Sequence, residues 1–148
     1  VEFEMKKREV LLLQLIVVLG ATLSGGIALA DDVSLPPMQR EGQVAYLSGG
    51  IGLDQSRAIK DAMRDYSLVL TFVGTTRNGN EYLSDVPVTI TDVNGNTVLD
   101  TNSDGPFMLA SLPNGRYTVT ASYKGKTEQR TVNISTSQHV RQTFTWVM

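Results

Sequence analysis

From Ser67 onward the apolar residues of this chain recur at every second position. Leu68, Leu70 and Phe72 alternate with Val69, Thr71 and Val73, and Val86, Val88 and Ile90 alternate with Pro87, Thr89 and Thr91. Tyr117, Val119 and Ala121 repeat the pattern, followed by Val132 and Ile134 and then by Val140, Phe144 and Trp146. A period of two places successive side chains on opposite faces of a strand, and threonine opposite the apolar set favours strands without adding to the core. The pattern predicts seven strands, near 67–74, 86–92, 96–101, 106–110, 116–123, 127–134 and 139–147. Asn94-Gly95, Asp104-Gly105, Pro113-Asn114-Gly115 and Lys124-Gly125-Lys126 stand between them as turns, with glycine available for a positive φ.

Before Ser67 the period is different. Residues 44–52, VAYLSGGIG, read as a short apolar strand candidate running into a glycine-rich turn. Asp54 stands where a helix N-cap belongs, and Ile59, Ala62, Met63 and Tyr66 recur at spacings of three and four. Lys60, Asp61, Arg64 and Asp65 occupy the other face, which predicts one short amphipathic helix over 55–65. Three turns are marginal alone, so this stripe must cover part of a sheet. The expected fold is a mainly β, seven-stranded antiparallel Ig-like sandwich with one short N-terminal α-helix.

The first thirty residues read as an export signal. Met5 precedes Lys6, Lys7 and Arg8, an apolar run follows from Val10 to Leu19, and Ala28-Leu29-Ala30 supplies the small residues of a cut before Asp31. Val1-Glu2-Phe3-Glu4 fits neither part of that pattern, so Met5 is the expected start. A retained anchor is the alternative, although Gln14, Gly20, Gly25 and Gly26 shape the segment poorly for a span of roughly 20 residues. Both readings place the domain beyond the cytoplasmic membrane, in the periplasm or secreted. Residues 31–43, with Pro36-Pro37, read as an extended leader, and 44–148 as a single domain.

Composition narrows the chemistry. The net charge is −2 with or without the first thirty residues, which gives no attraction to nucleic acid or to an anionic membrane. The chain has no cysteine, and hence neither a disulfide framework nor a thiolate nucleophile. His139 is the single histidine and is read as an exposed turn residue; with no cysteine beside it, it cannot build a tetrahedral His/Cys zinc site. Ser48, His139 and Asp54 make a formal nucleophilic triad that nothing in the sequence places together. Asp92, Asn94, Asn96 and Asp100 imitate the start of a calcium loop, but its twelfth position falls on Ser103, and a hairpin on Asn94-Gly95 accounts for them.

Ser48-Gly49-Gly50-Ile51-Gly52 ahead of the helix presents backbone N–H groups without the Gly-Lys-Ser/Thr ending of a phosphate loop. A tight strand-to-helix connection explains these glycines, and Tyr46, Gly49, Gly50 and Gly52 form the candidate partner or ligand surface. Tyr46, Tyr82, Tyr123 and Trp146 are candidates for a shallow carbohydrate or protein contact, with Trp146 divided between core and surface.

One segment also carries a resemblance. Leu83-Ser84-Asp85-Val86-Pro87-Val88-Thr89-Ile90, Asn94-Gly95, Thr101 to Gly105 ahead of Phe107, Leu112-Pro113-Asn114-Gly115, and Tyr117, Val119 and Ala121 resemble the carboxypeptidase regulatory-like domain family. The likeness covers about 67–147 and leaves 42–66 outside. It implies a small prealbumin-like, or transthyretin-like, sandwich of a kind found beside carboxypeptidase catalytic domains and in bacterial exported proteins. No catalytic set is shared across such domains, so the resemblance carries none onto this chain. In physical terms Gly105 and Gly115 should relieve turn strain, while Phe107, Leu112 and Tyr117 should bury against the opposing sheet.

The expected function is therefore that of a non-enzymatic exported accessory or binding module of the cell envelope, without cofactor or metal. Its partner is expected to be another envelope or secreted protein, or a glycan, with no stable membrane insertion after signal cleavage. The alternative is a carbohydrate- or small-ligand-binding module, and a small hydrolase is more distant.

Overall fold

The computed structural model describes residues 35–148. The expected signal at 1–30 and the first residues of the leader lie outside the described residues. Ten strands form two sheets: β1 (Gln39–Glu41), β2 (Val44–Gly49), β3 (Leu68–Thr76), β4 (Gly79–Tyr82), β5 (Val86–Asp92), β6 (Thr97–Ser103), β7 (Phe107–Ser111), β8 (Gly115–Tyr123), β9 (Lys126–Ile134) and β10 (Val140–Val147). One helix, α1 (Leu53–Ala62), continues into a 3₁₀ turn at Met63–Asp65. The larger sheet runs β1-β2-β7-β3-β10, with β4 added beside the far half of β3, and the smaller runs β6-β5-β8-β9.

The two sheets enclose one core. Leu68, Leu70 and Phe72 of β3 meet Val86, Val88 and Ile90 of β5 and Val119 and Ala121 of β8 there, together with Phe144 and Trp146. The period-two pattern therefore marks one face of every central strand. A second, smaller cluster lies on the outer face of the larger sheet, where Ile59, Met63 and Tyr66 cover Leu47, Val69, Phe107 and Leu109. The first half of β3, together with β2 and β7, is thus buried on both faces, which explains the unbroken apolar runs Val44–Leu47 and Phe107–Ala110.

All seven strands expected from the period are present, and the helix stripe faces the sheet. β1 and β4 were not legible, because every residue in them is exposed and no apolar alternation marks them. The pairing is not antiparallel throughout, since β10 runs parallel to β3, Val140 opposite Leu68 through Val147 opposite Thr75. The chain crosses between sheets after β9 instead of folding back in a hairpin, so its direction beside β3 is set by the crossing. The helix starts earlier than expected: its N-cap is Gly52, without a side-chain cap, and Asp54 sits in the first turn.

Two turn expectations also change. Gly105 has no positive φ; its Cα packs against the backbone of Gly49, where a Cβ would overlap the carbonyl carbon and oxygen. Phe107 turns away from the opposing sheet into the cluster beneath the helix, whereas Leu112 and Tyr117 do enter the main core. The Asn94-Gly95 hairpin forms as expected, with Gly95 at φ 82°.

Candidate functional site

The glycine-rich connection leaves the end of β2 and enters α1. The Gly50 N–H donates to Gln55 Oε1 at 2.8 Å, so the first turn of the helix holds the loop that precedes it. Gly50 has φ 104°, and a Cβ there would lie 2.5 Å from Phe107 Cδ2, so this position needs glycine for its dihedral and for its neighbour. Beneath the loop the Asp104 N–H donates to Ser48 Oγ at 2.9 Å, and Ser103 Oγ–H donates to the Gly105 carbonyl at 2.6 Å. Two buried hydroxyls thereby fix the segment that leads from β6 into β7.

Phe107 ties three elements together. Its ring packs on Gly50, meets Tyr82 of β4 at 5.3 Å between centroids, and lies 5.9 Å from Lys60 Nζ of α1. Tyr82 is 61% exposed, and Ile51 and Leu53, on either side of Gly52, are 64% and 65% exposed. Large apolar side chains left in water around one rigid loop are the usual mark of a contact surface.

The expected site residues separate on the structure. Gly49, Gly50 and Gly52 share the loop, Gly49 being buried, Gly50 half-buried and Gly52 exposed. Tyr46 is buried in the main core, and its hydroxyl donates to Gln39 Oε1 at 3.1 Å. Sequence reasoning named Tyr82 as a contact candidate without placing it beside this loop, and left out Ile51 and Leu53; Ile51 stood inside the motif and Leu53 directly after it, both off the helix stripe, which was the available signal.

Other candidates resolve into structural roles. Trp146 is 2% exposed, its indole N–H donating to the Lys126 carbonyl at 2.9 Å. Ser48 accepts from Asp104, and His139 Nδ1 lies 2.8 Å from the Tyr66 carbonyl, so neither is bonded to the other or to Asp54. Asp92 Oδ1 accepts the Asn94 and Asn96 N–H groups at 2.9 and 3.0 Å, which closes the β5–β6 turn. Among the described residues no group of three or more His, Cys, Asp or Glu is placed to hold a metal ion, and no helix is long and apolar enough to cross a membrane.

An open cleft of about 340 Å³ lies between Glu41, Val44, Asp92, Thr97, Pro113 and Tyr117. The Tyr117 hydroxyl donates to the Pro113 carbonyl at 2.7 Å, and burial, then the Asp92 carboxylate, raises its pKa above the ordinary tyrosine value. A neutral phenol already bonded within the chain is a wall and not a reactive group there.

The family model for the carboxypeptidase regulatory-like domain matches residues 71–147. The chain belongs to that family. The match begins inside β3 and runs through β10, so the regulatory-like domain proper supplies the smaller sheet and β4, β7, β10 and most of β3. The glycine loop and α1 lie ahead of the matched segment. The family is one of non-catalytic domains. No curated protein matches the chain.

Proposed function

We propose that this chain is a non-enzymatic, exported binding module of the cell envelope. It would hold a protein partner on the surface made by Ile51, Leu53 and Tyr82 around the Gly49–Gly52 loop. The observation that carries this reading is the exposure of those three large side chains, Ile51 on the loop, Leu53 at the start of α1 and Tyr82 on β4, around a loop braced by Gln55 and Phe107. A regulatory-like domain supplies the rigid sandwich and Tyr82, and the segment ahead of the family match adds Ile51 and Leu53. Export supports a partner in the periplasm or outside the cell, and it rests on the basic, apolar and Ala-Leu-Ala succession of residues 5–30.

A glycan is the second reading, favoured by Tyr82, whose exposed ring is backed by Phe107 in the manner of a stacking platform. The two are separated by substitution. Ile51→Asp with Leu53→Asp should abolish recovery of crosslinked protein from the native compartment while leaving the melting temperature unchanged. Tyr82→Ala alone should abolish polysaccharide retention if the glycan reading holds. Wild-type crosslinking by the double variant overturns the protein surface. Intact mass of the exported product should place Asp31 first, and recovery of an uncleaved membrane-embedded chain overturns the export reading.

A further inference from the structure

The strands that end the two sheets are not equally protected. An unpaired edge invites another strand, and proteins blunt such edges with short length, charge, proline, bulges or inward-pointing ionic groups. β1 and the side strand β4 have three and four residues. At β6 the free Asp100 N–H is taken by Glu41 Oε2 at 2.7 Å. On β9, Glu128 and Arg130 pair with the core residues Ala121 and Val119, so both point inward at the rim, where they form an ion pair at 3.3 Å.

β10 is the least protected, with one charged residue, Arg141, and a lysine on its last carbonyl. Its eight residues, VRQTFTWV, contain no proline and one charge, and they pair with β3 in unbroken register. The Val140 N–H donates to the Ser67 carbonyl and the Met148 N–H to the Thr75 carbonyl, so the even-numbered residues bond to β3. In a parallel ladder the intervening residues, Arg141, Thr143, Thr145 and Val147, then direct N–H and C=O groups away from it. Lys126 Nζ reaches the Val147 carbonyl from that side at 3.2 Å. Among the described residues the rest of this outward row has no partner strand.

We infer that β10 is a pairing edge whose occupant is β10 of a second copy of this chain, in antiparallel register about a two-fold axis at Thr143. That register sets Thr143 against its own counterpart and Arg141 against the partner subunit's Thr145, so the only charge on the strand meets a hydroxyl and never its own kind. Val147 stays outside the ladder and keeps its lysine. On the neighbouring rim Glu128 and Arg130 are already paired within each copy, so this rim brings no net charge against the second copy. The pairing joins two six-stranded sheets into one, and it does not rest on the surface at Gly49–Leu53.

The test uses the full chain, expressed with its own leader and purified as the cell processes it. Sedimentation should show a monomer–dimer equilibrium. Thr143→Lys sets like charges opposite each other across the axis and should weaken the dimer at least about tenfold. Because this side chain is exposed, the monomer should melt as the wild type does. Thr143→Pro removes an outward N–H that β3 does not use and should have the same effect. The chain has no cysteine, so Thr143→Cys should form a disulfide-linked dimer on oxidation. Arg141→Cys, facing threonine, should not. A wild-type monomer at every concentration, or a dimer untouched by Thr143→Lys and uncrosslinked by Thr143→Cys, overturns the inference.

Discussion

Gly105 lies with its Cα against the carbonyl group of Gly49, so that the last residue of β2 and the turn before β7 touch backbone to backbone. No side chain fits between them, although β2 and β7 are hydrogen-bonded neighbours from Gly49 opposite Phe107 to Ala45 opposite Ser111. The contact fixes where the glycine loop leaves the sheet. It thereby fixes the surface carried by Ile51 and Leu53.

Gly105→Ala should accordingly cost about 3 kcal/mol, because backbone cannot move aside as a flexible side chain can. Gly95→Ala is the control: its φ of 82° disfavours alanine by roughly 1–2 kcal/mol, and no atom lies within 4 Å of the added Cβ. Denaturant midpoints for the two variants measure the difference. Equal losses would mean that the Gly49 contact is not tight.

Ile59→Asp should destabilise the whole domain by about 2–4 kcal/mol. Ile59 is 0% exposed and packs with Leu47, Val69, Phe107 and Leu109 of the sheet, so the carboxylate would be buried without a partner. A helix reserved for a binding partner would leave the melting temperature of the free domain unchanged. Calorimetry on the free domain separates the two.

Trp146→Phe should cost about 1–2 kcal/mol. The ring would still pack near Phe72 and Phe144, whose centroids lie 6.4 and 6.1 Å away, but the bond to the Lys126 carbonyl would be lost. Amide exchange should quicken around Lys126 and Val147, where β9 and β10 meet. Uniform protection along both strands would contradict this role.

Stability should fall at alkaline pH. Burial, and secondarily Asp65 beside Tyr66 and Asp92 near Tyr117, raises both phenol pKa values above the ordinary one. The folded chain holds these two protons more tightly than the unfolded chain does. The stabilisation is full below the ordinary tyrosine value of about 10 and disappears as pH rises through the raised folded values. Melting temperature against pH, read beside phenolate absorbance, should show the decline accompanying ionisation of these two buried phenols above the ordinary tyrosine value. Tyr66→Phe should flatten part of the decline.

Alternation and turn chemistry by themselves determined the seven strands from Leu68 to Val147, the helix stripe and the segment that carries the family. Those signals are local: a period of two states which residues share a face, and Asn94-Gly95 states where the chain reverses. Partner choice is not local. That β10 lies parallel to β3, that Phe107 faces the helix, and that Tyr46 and Trp146 are core while Tyr82 stands in water were decided only by packing the two sheets and α1 together. β1 and β4 stayed hidden for the same reason, since strands exposed at every position form only because a neighbour offers its edge. The glycines of the loop were legible as a feature, but their cause was not, because the absence of a Cβ acquires meaning only when Phe107 and the Gly105 backbone arrive beside them from elsewhere in the chain.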